Sequence, residues 1–146
     1  MNLLEYDLCL PPRPMGYLSA PMSAPDALTR THHHLAALGV SARLWEAEAL
    51  HYCPHRNSPQ VGTTDVSYES WIAMDLEVLR RCNYILMAGD WNHSPGCRRE
   101  LAVAMHLGLP VVYTVEAAIA LDRKLRADSA VHLVAVPLPA QTEARA

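Results

Sequence analysis

Two acidic residues stand where amphipathic helices should be apolar. Over residues 96–107, at about 100° per residue, Cys97, Leu101, Val103, Ala104 and Leu107 gather on one arc, and Glu100 falls near its middle. One helix earlier, Trp71, Ile72, Leu76, Val78, Leu79 and Cys82 share a face opposite Glu69, Ser70, Glu77, Arg80 and Arg81, and Asp75 projects from the centre of the apolar side. A carboxylate is almost never fully buried without a partner, because removing the ion from water either costs several kcal/mol or drives it to take up a proton. Such a pair is either two core acids satisfied by backbone donors or a buried arginine, or an acid/base or nucleophile pair. Their occurrence on successive helices tilts the balance toward a site.

The segment Gly89-Asp90-Trp91-Asn92-His93-Ser94-Pro95-Gly96 leads into the helix that bears Glu100. Ser94 is a favoured N-cap and Pro95 a favoured first helical residue. The same atoms could serve a ligand, since a helix N-terminus offers free N–H groups to an anion and Gly96 permits close backbone approach. Arg98 and Arg99 oppose the helix dipole from the first turn, consistent with an anion or a subunit contact there. Elsewhere the signals are weaker. His51, Cys53 and His55 alternate, but Pro54 interrupts them and no fourth ligand is evident, so a surface loop is expected and no metal or cofactor. His32, His33 and His34 read as a solvated helix face. Trp91 either stacks on a ligand or covers its loop, Trp45 and Trp71 read as core, and Asp65 either reaches a ligand from a long loop or caps a helix.

These residues need elements to position them. Pro11, Pro12 and Pro14 mark residues 1–14 as an extended arm. A strand over 15–19 is expected to pass through the Pro-rich turn 20–25 into a helix over 26–38 that stops at Gly39. A second strand over 40–47 follows, and then a loop over 48–66 of the length that often serves as a lid or rim. The remaining expected elements are a helix over 68–81, a strand over 83–88, the loop 89–94, a helix over 95–107, a strand over 109–114 and a helix over 116–126. An edge strand over 131–136 and a flexible tail over 137–146 complete the chain. Alternating strands and helices predict an α/β fold with a parallel sheet covered on both faces, and ligands in such sheets bind beyond the carboxyl ends of the strands. The loops 20–25, 48–66 and 89–95 meet that description.

At 146 residues, with 51% hydrophobic and 18% charged residues, the chain has the composition of one globular domain. A formal net charge of −3 disfavours a nucleic acid or an anionic membrane as the main partner, and a small molecule is expected instead. No apolar run approaches the ~20 residues of a membrane span, and the first residues lack the basic region and cleavage site of a signal peptide, so a cytoplasmic location is expected. Cys9, Cys53, Cys82 and Cys97 form no CxxC pairing and read as reduced thiols.

Three segments resemble the nucleoside 2-deoxyribosyltransferase-like proteins, a family that includes the 2′-deoxynucleoside 5′-phosphate N-hydrolases and uncharacterised bacterial and phage relatives. Tyr17-Leu18-Ser19-Ala20-Pro21-Met22 is similar to the family's first strand and sugar-phosphate loop. Met74-Asp75-Leu76-Glu77-Val78-Leu79 is similar to the helix with its general acid, and Ser94-x-Gly96-x-x-x-Glu100 to the segment with its nucleophile. The resemblance covers residues 15 to about 114 and implies a flavodoxin-like (Rossmann-like) three-layer sandwich over residues 15–136. It assigns Glu100 as nucleophile and Asp75 as acid. It places Tyr17, Ser19, Ala20, Pro21, Met22, Ser94 and Gly96 around a nucleotide or nucleoside, with a homodimer or higher oligomer completing the pocket; Asp65, Gly89, Asp90 and Trp91, from loops that the resemblance does not match, are expected to border the same ligand. Ser94 stands where transferases of free nucleosides carry an aspartate, Ala20 replaces a glycine, and the first loop has no arginine. The implied activity is N-glycosidase action on a (2′-deoxy)nucleoside 5′-monophosphate; alternatives are base exchange by a deoxyribosyltransferase and nucleotide binding without turnover.

Overall fold

The computed structural model describes residues 13–57 and 67–131. Its elements in chain order are β1 (Gly16–Ser19), α1 (Ala27–Glu46), β2 (His51–Tyr52), α2 (Pro54–Asn57), α3 (Tyr68–Leu79), β3 (Tyr84–Met87), a 3₁₀ turn (Trp91–His93), α4 (Pro95–His106), β4 (Val111–Val112) and α5 (Val115–Val131). The four strands form one parallel sheet in the order β2-β1-β3-β4. This matches the first four strands of the flavodoxin-like order 2-1-3-4-5.

Strand residues alternate between two cores, as the period of two requires. Leu18, Tyr84 and Leu86 meet Leu44 of α1 and Val115 and Ala118 of α5 on one face. Tyr17, Ile85 and Met87 meet Leu79 of α3 and Cys97 and Ala104 of α4 on the other. The sheet is therefore buried on both sides, and the fold is a three-layer α/β sandwich. Strand order reverses at β1, whose neighbours are β2 on one side and β3 on the other, so the crevice expected of this topology opens beyond Ser19 and Met87.

The helices begin where their caps allow. Asp26 accepts from the Thr29 N–H at 2.8 Å, Ser67 from Ser70 at 3.2 Å and Ser94 from Cys97 at 3.3 Å, each satisfying an amide that has no partner inside the helix. Among the described residues no helix is long and apolar enough to cross a membrane.

The largest departure from the sequence expectation concerns α1. It does not stop at Gly39 but continues as 20 residues to Glu46, consuming the strand expected over 40–47. Ala37, Ser41 and Leu44 are its buried residues, a helical spacing that outweighs the glycine, which sits exposed within the helix. The second strand is instead the two-residue β2, inside the stretch expected to be loop. Trp45, expected in the core, is 50% exposed, and Trp71, also expected there, is half-buried. Cys53 and His55, expected on a surface loop, are buried. His33 and His34 are half-buried, so the histidine run is not fully a solvated face. Helix α5 is longer than expected and reaches Val131; the strand expected over 131–136 otherwise lies outside the described residues, as do residues 1–12 of the arm, Cys9 and the tail over 137–146. Cys53, Cys82 and Cys97 are free thiols.

Two glycines should respond oppositely to alanine. A Cβ on Gly16 would lie 2.4 Å from the buried Tyr84 ring, whereas one on Gly39 meets nothing within 4 Å. In urea titrations Gly16→Ala is expected to lower stability by about 1–3 kcal/mol through overpacking, and Gly39→Ala to raise it by roughly 0.5–1 kcal/mol through helix propensity.

Candidate active site

Tyr17 of β1 and Tyr52 of β2 are register partners on adjacent parallel strands. They send their side chains to the same face of the sheet, with ring centroids 5.6 Å apart. Each ends on a carboxyl group. The Tyr17 hydroxyl donates to Glu100 Oε1 at 2.7 Å and the Tyr52 hydroxyl to Asp75 Oδ1 at 2.9 Å. Ser19, two residues beyond Tyr17 and hence on the same face, donates to Glu100 Oε2 at 2.5 Å. Glu100 is 5% exposed and Asp75 8%, so both acids are buried, and the hydroxyls they accept from are neutral.

Burial dominates their titration. It raises Glu100 to about 7, against the Ser19 and Tyr17 hydrogen bonds that favour the anion, with the Asp75 charge adding to the rise. Burial likewise raises Asp75, opposed by the Tyr52 hydrogen bond. Tyr52 is pushed up to about 12, chiefly by burial, although a hydrogen bond from Asn57 works the other way. Tyr17 is driven well above the ordinary phenol range, by burial first and the Glu100 charge second. Both tyrosines therefore remain protonated donors at neutral pH.

Asp75 and Glu100 share a cavity of about 610 Å³. Its walls come from both sides of the crevice: Thr29 and His33 of α1, the loop from Ala20 to Pro25, Tyr68, Trp71, Ile72 and Met74 of α3, and Ser94, Gly96 and Cys97 at the start of α4. The loop is anchored from below by His55, whose Nε2 lies 2.9 Å from the Pro21 carbonyl oxygen. Three carboxyl groups line the space, from Asp75, Asp90 and Glu100, and among the described lining residues there is no lysine or arginine. His93 lines it too, 2.8 Å from Asp90 Oδ1.

The residues expected from sequence divide into three groups. Ala20, Pro21, Met22, Asp75, Asp90, Ser94, Gly96 and Glu100 all line the cavity. Tyr17 and Ser19 have no exposed surface and touch the cavity through Glu100, which makes them supports of the carboxylate and not ligand contacts. Gly89 and Trp91 are not on the wall. Gly89 has φ +64° and would bring a Cβ to 3.4 Å from Pro21 Cδ, so it shapes the turn beside the first loop. The Trp91 ring packs 5.7 Å from that of Tyr113 and covers its loop. Asp65 lies outside the described residues. Arg99 pairs with Glu69 of α3 at 3.2 Å and ties the two helices together on the outside. Sequence reasoning missed Tyr52, Thr29, His33, Tyr68 and Met74 as parts of the site. The i, i+4 spacing of Thr29 and His33 was an available signal.

The chain belongs to the family described as "Domain of unknown function (DUF4406)", whose model matches residues 17–113. That span begins at the tyrosine beneath Glu100 and contains both carboxyl groups. No curated protein matches the chain. Among solved structures it is similar to a 2-deoxyribosyltransferase from the psychrotolerant bacterium Bacillus psychrosaccharolyticus, with 23% identity, a TM-score of 0.49 and coverage of 66% of this chain and 69% of that one.

Holding Glu100 in this position should be costly once it ionises. Its folded pKa of about 7 lies above the ordinary 4.5, so between those values the folded state binds the extra proton and stability falls as pH rises. Glu100→Gln cannot ionise and keeps the shape. Urea midpoints of parent and variant should coincide near pH 4 and diverge up to about pH 7, the variant gaining roughly 3 kcal/mol at the upper end. Parallel curves across this range would refute the shift.

Proposed function

We propose that the chain cleaves the N-glycosidic bond of a nucleoside-type substrate, first of all a (2′-deoxy)nucleoside 5′-monophosphate, through a glycosyl ester on Glu100. The observation that carries this reading is the unequal support of two buried carboxyl groups in one cavity: Glu100 accepts two hydroxyl hydrogen bonds and Asp75 one. When two such groups interact, the proton they share belongs to the pair, and it favours the member whose anion is less well solvated. Two donors against one lean the pair toward ionised Glu100 and protonated Asp75, the division that a nucleophile and a general acid require, while the burial of Glu100 pulls the other way.

In the reaction a Glu100 oxygen attacks C1′ and the C1′–N bond breaks, its electron pair leaving on the base nitrogen. Asp75 delivers its proton to the base. Water then attacks C1′ of the ester, Asp75 takes the water's proton, and Glu100 leaves as carboxylate. Trp71, Ile72 and Met74 supply the apolar wall against which a planar base can pack. Ser94 accepts the Cys97 N–H, which leaves its own hydroxyl hydrogen free to meet a phosphate oxygen beside the Gly96 N–H.

A second reading is base exchange on an unphosphorylated nucleoside. It is favoured by the lining itself, where three carboxyl groups have no described lysine or arginine to offset them against a phosphate.

Incubation with a panel of nucleosides and monophosphates, scoring free base by chromatography, tests both. A monophosphate preference of tenfold or more is expected if each charge-assisted bond to phosphate contributes roughly 1.5–3 kcal/mol. Ser94→Asp should erase or invert it. Equal rates on both substrate classes would favour the second reading, and binding without base release would overturn both. Glu100→Ala should abolish release with the fold retained, and a 2-fluoroarabinosyl substrate should label Glu100 alone in peptide mass spectra. Asp75→Asn should slow poor leaving groups far more than activated ones; equal slowing would remove the acid role.

A further inference from the structure

Tyr52 does not line the cavity and lies outside the three segments that carry the family resemblance, yet it bonds directly to the proposed acid. Its place is set by backbone register: Tyr52 is the Cα partner of Tyr17, so the two side chains leave the sheet side by side and their rings touch. One hydroxyl ends on Glu100 and the other on Asp75. The Tyr52 hydroxyl is the donor in its bond, so its hydrogen is directed toward Asp75. The two carboxyl groups stand on different helices, α3 and α4, and this tyrosine pair is the rigid link between them within the sheet.

We propose that Tyr52 is a positioning residue: from its register-paired strand it holds the Asp75 carboxyl group at a fixed separation from Glu100 and makes that group willing to release its proton to the departing base. This inference rests on the glycosidase reading above. A carboxyl group buried with no donor would keep its proton too firmly; one donor eases release, and a second would strip the proton early. The other groups that bear on Asp75 are Glu100 from α4 and Tyr17 from β1, with Asp90 and His93 from the loop after β3 and His33 from α1 across the cavity.

The test is a ¹³C-carboxyl NMR titration of Asp75 in the full chain, the signal assigned with Asp75→Asn, alongside the pH profile of kcat/KM. Tyr52→Phe keeps the ring pair and removes the donor. The Asp75 midpoint and the alkaline limb of kcat/KM should rise together by about one pH unit, a tenfold change in proton affinity, with the larger loss of kcat on poor leaving groups. Fluorotyrosine at position 52, a more acidic donor on the same ring, should move the midpoint down. Opposite shifts from these two replacements are beyond a generic loosening of the fold. An unmoved Asp75 midpoint in both, or the same rise in Tyr17→Phe as in Tyr52→Phe, would overturn the proposal. If the parent chain releases no base from any substrate, the glycosidase reading fails, while the Asp75 midpoints still decide whether Tyr52 tunes that carboxyl group.

Discussion

The architecture of the site follows from the requirement that a carboxyl group removed from water must find donors or keep its proton. Among the described residues three such groups are buried, and the fold treats them differently. Asp122, with no exposed surface, lies 2.7 Å from the Arg126 guanidinium one turn along α5, which is the arrangement of a structural core acid. Asp75 and Glu100 receive hydroxyl donors and, among the described residues, no cation. A guanidinium would pin a carboxylate in its charged form. Neutral hydroxyls solvate it without fixing its charge, and the group stays available for proton transfer or bond formation.

Neutral donors must be delivered with precision, and the parallel sheet does this with little machinery. Tyr17 and Ser19 lie two residues apart on β1, so both point to the face on which α4 packs. Tyr52 joins them because β2 is in register with β1. A slip of one residue in that register would turn Tyr52 to the opposite face and leave Asp75 buried without its hydroxyl. Two hydrogen-bonded residues of β2 thus carry a consequence out of proportion to their length. β1 is a central strand buried on both faces, in the close-packed interior, which suits Tyr17 and Ser19 as supports that hold a carboxyl group.

Much of this was legible from the residues alone, and the reason is specific. Asp75 and Glu100 violate the helical apolar pattern, and a violation of a strong pattern is visible without coordinates. The cap at Ser94, the loop that opens at Gly89 and the alternation that yields a parallel sheet are likewise local signals. Tyr52 was not legible. A two-residue strand has no period to detect, and its role depends on register with a strand more than thirty positions earlier. The error at Gly39 has the same root, since a local stop signal was outweighed by the burial of Ala37, Ser41 and Leu44 against the sheet. The placement of Tyr17 and Ser19 beneath Glu100 shows the further limit of motif reasoning: a residue can belong to a substrate-site motif and serve it from one layer below.

Electrostatic balance links the stability of the fold to what the cavity can hold. Glu100 ionises only at a cost, because burial outweighs its two hydroxyl donors, and a ligand that brings positive character to its oxygen offsets that cost. An anomeric carbon approaching an oxocarbenium ion does so only as the reaction proceeds, so the attraction is greatest at the transition state and weak in the ground state. The same carboxylate repels anionic parts of a substrate, and Asp90 adds to that repulsion from the loop before α4. Under the proposed reaction, a phosphate would sit where the α4 N-terminus, through Ser94 and Gly96, outweighs the acids, with the sugar carbon facing Glu100. The cavity thus carries carboxyl groups and a helix N-terminus in its lining, and under the proposed reaction charge sets the direction of a nucleotide before any contact to the base is made.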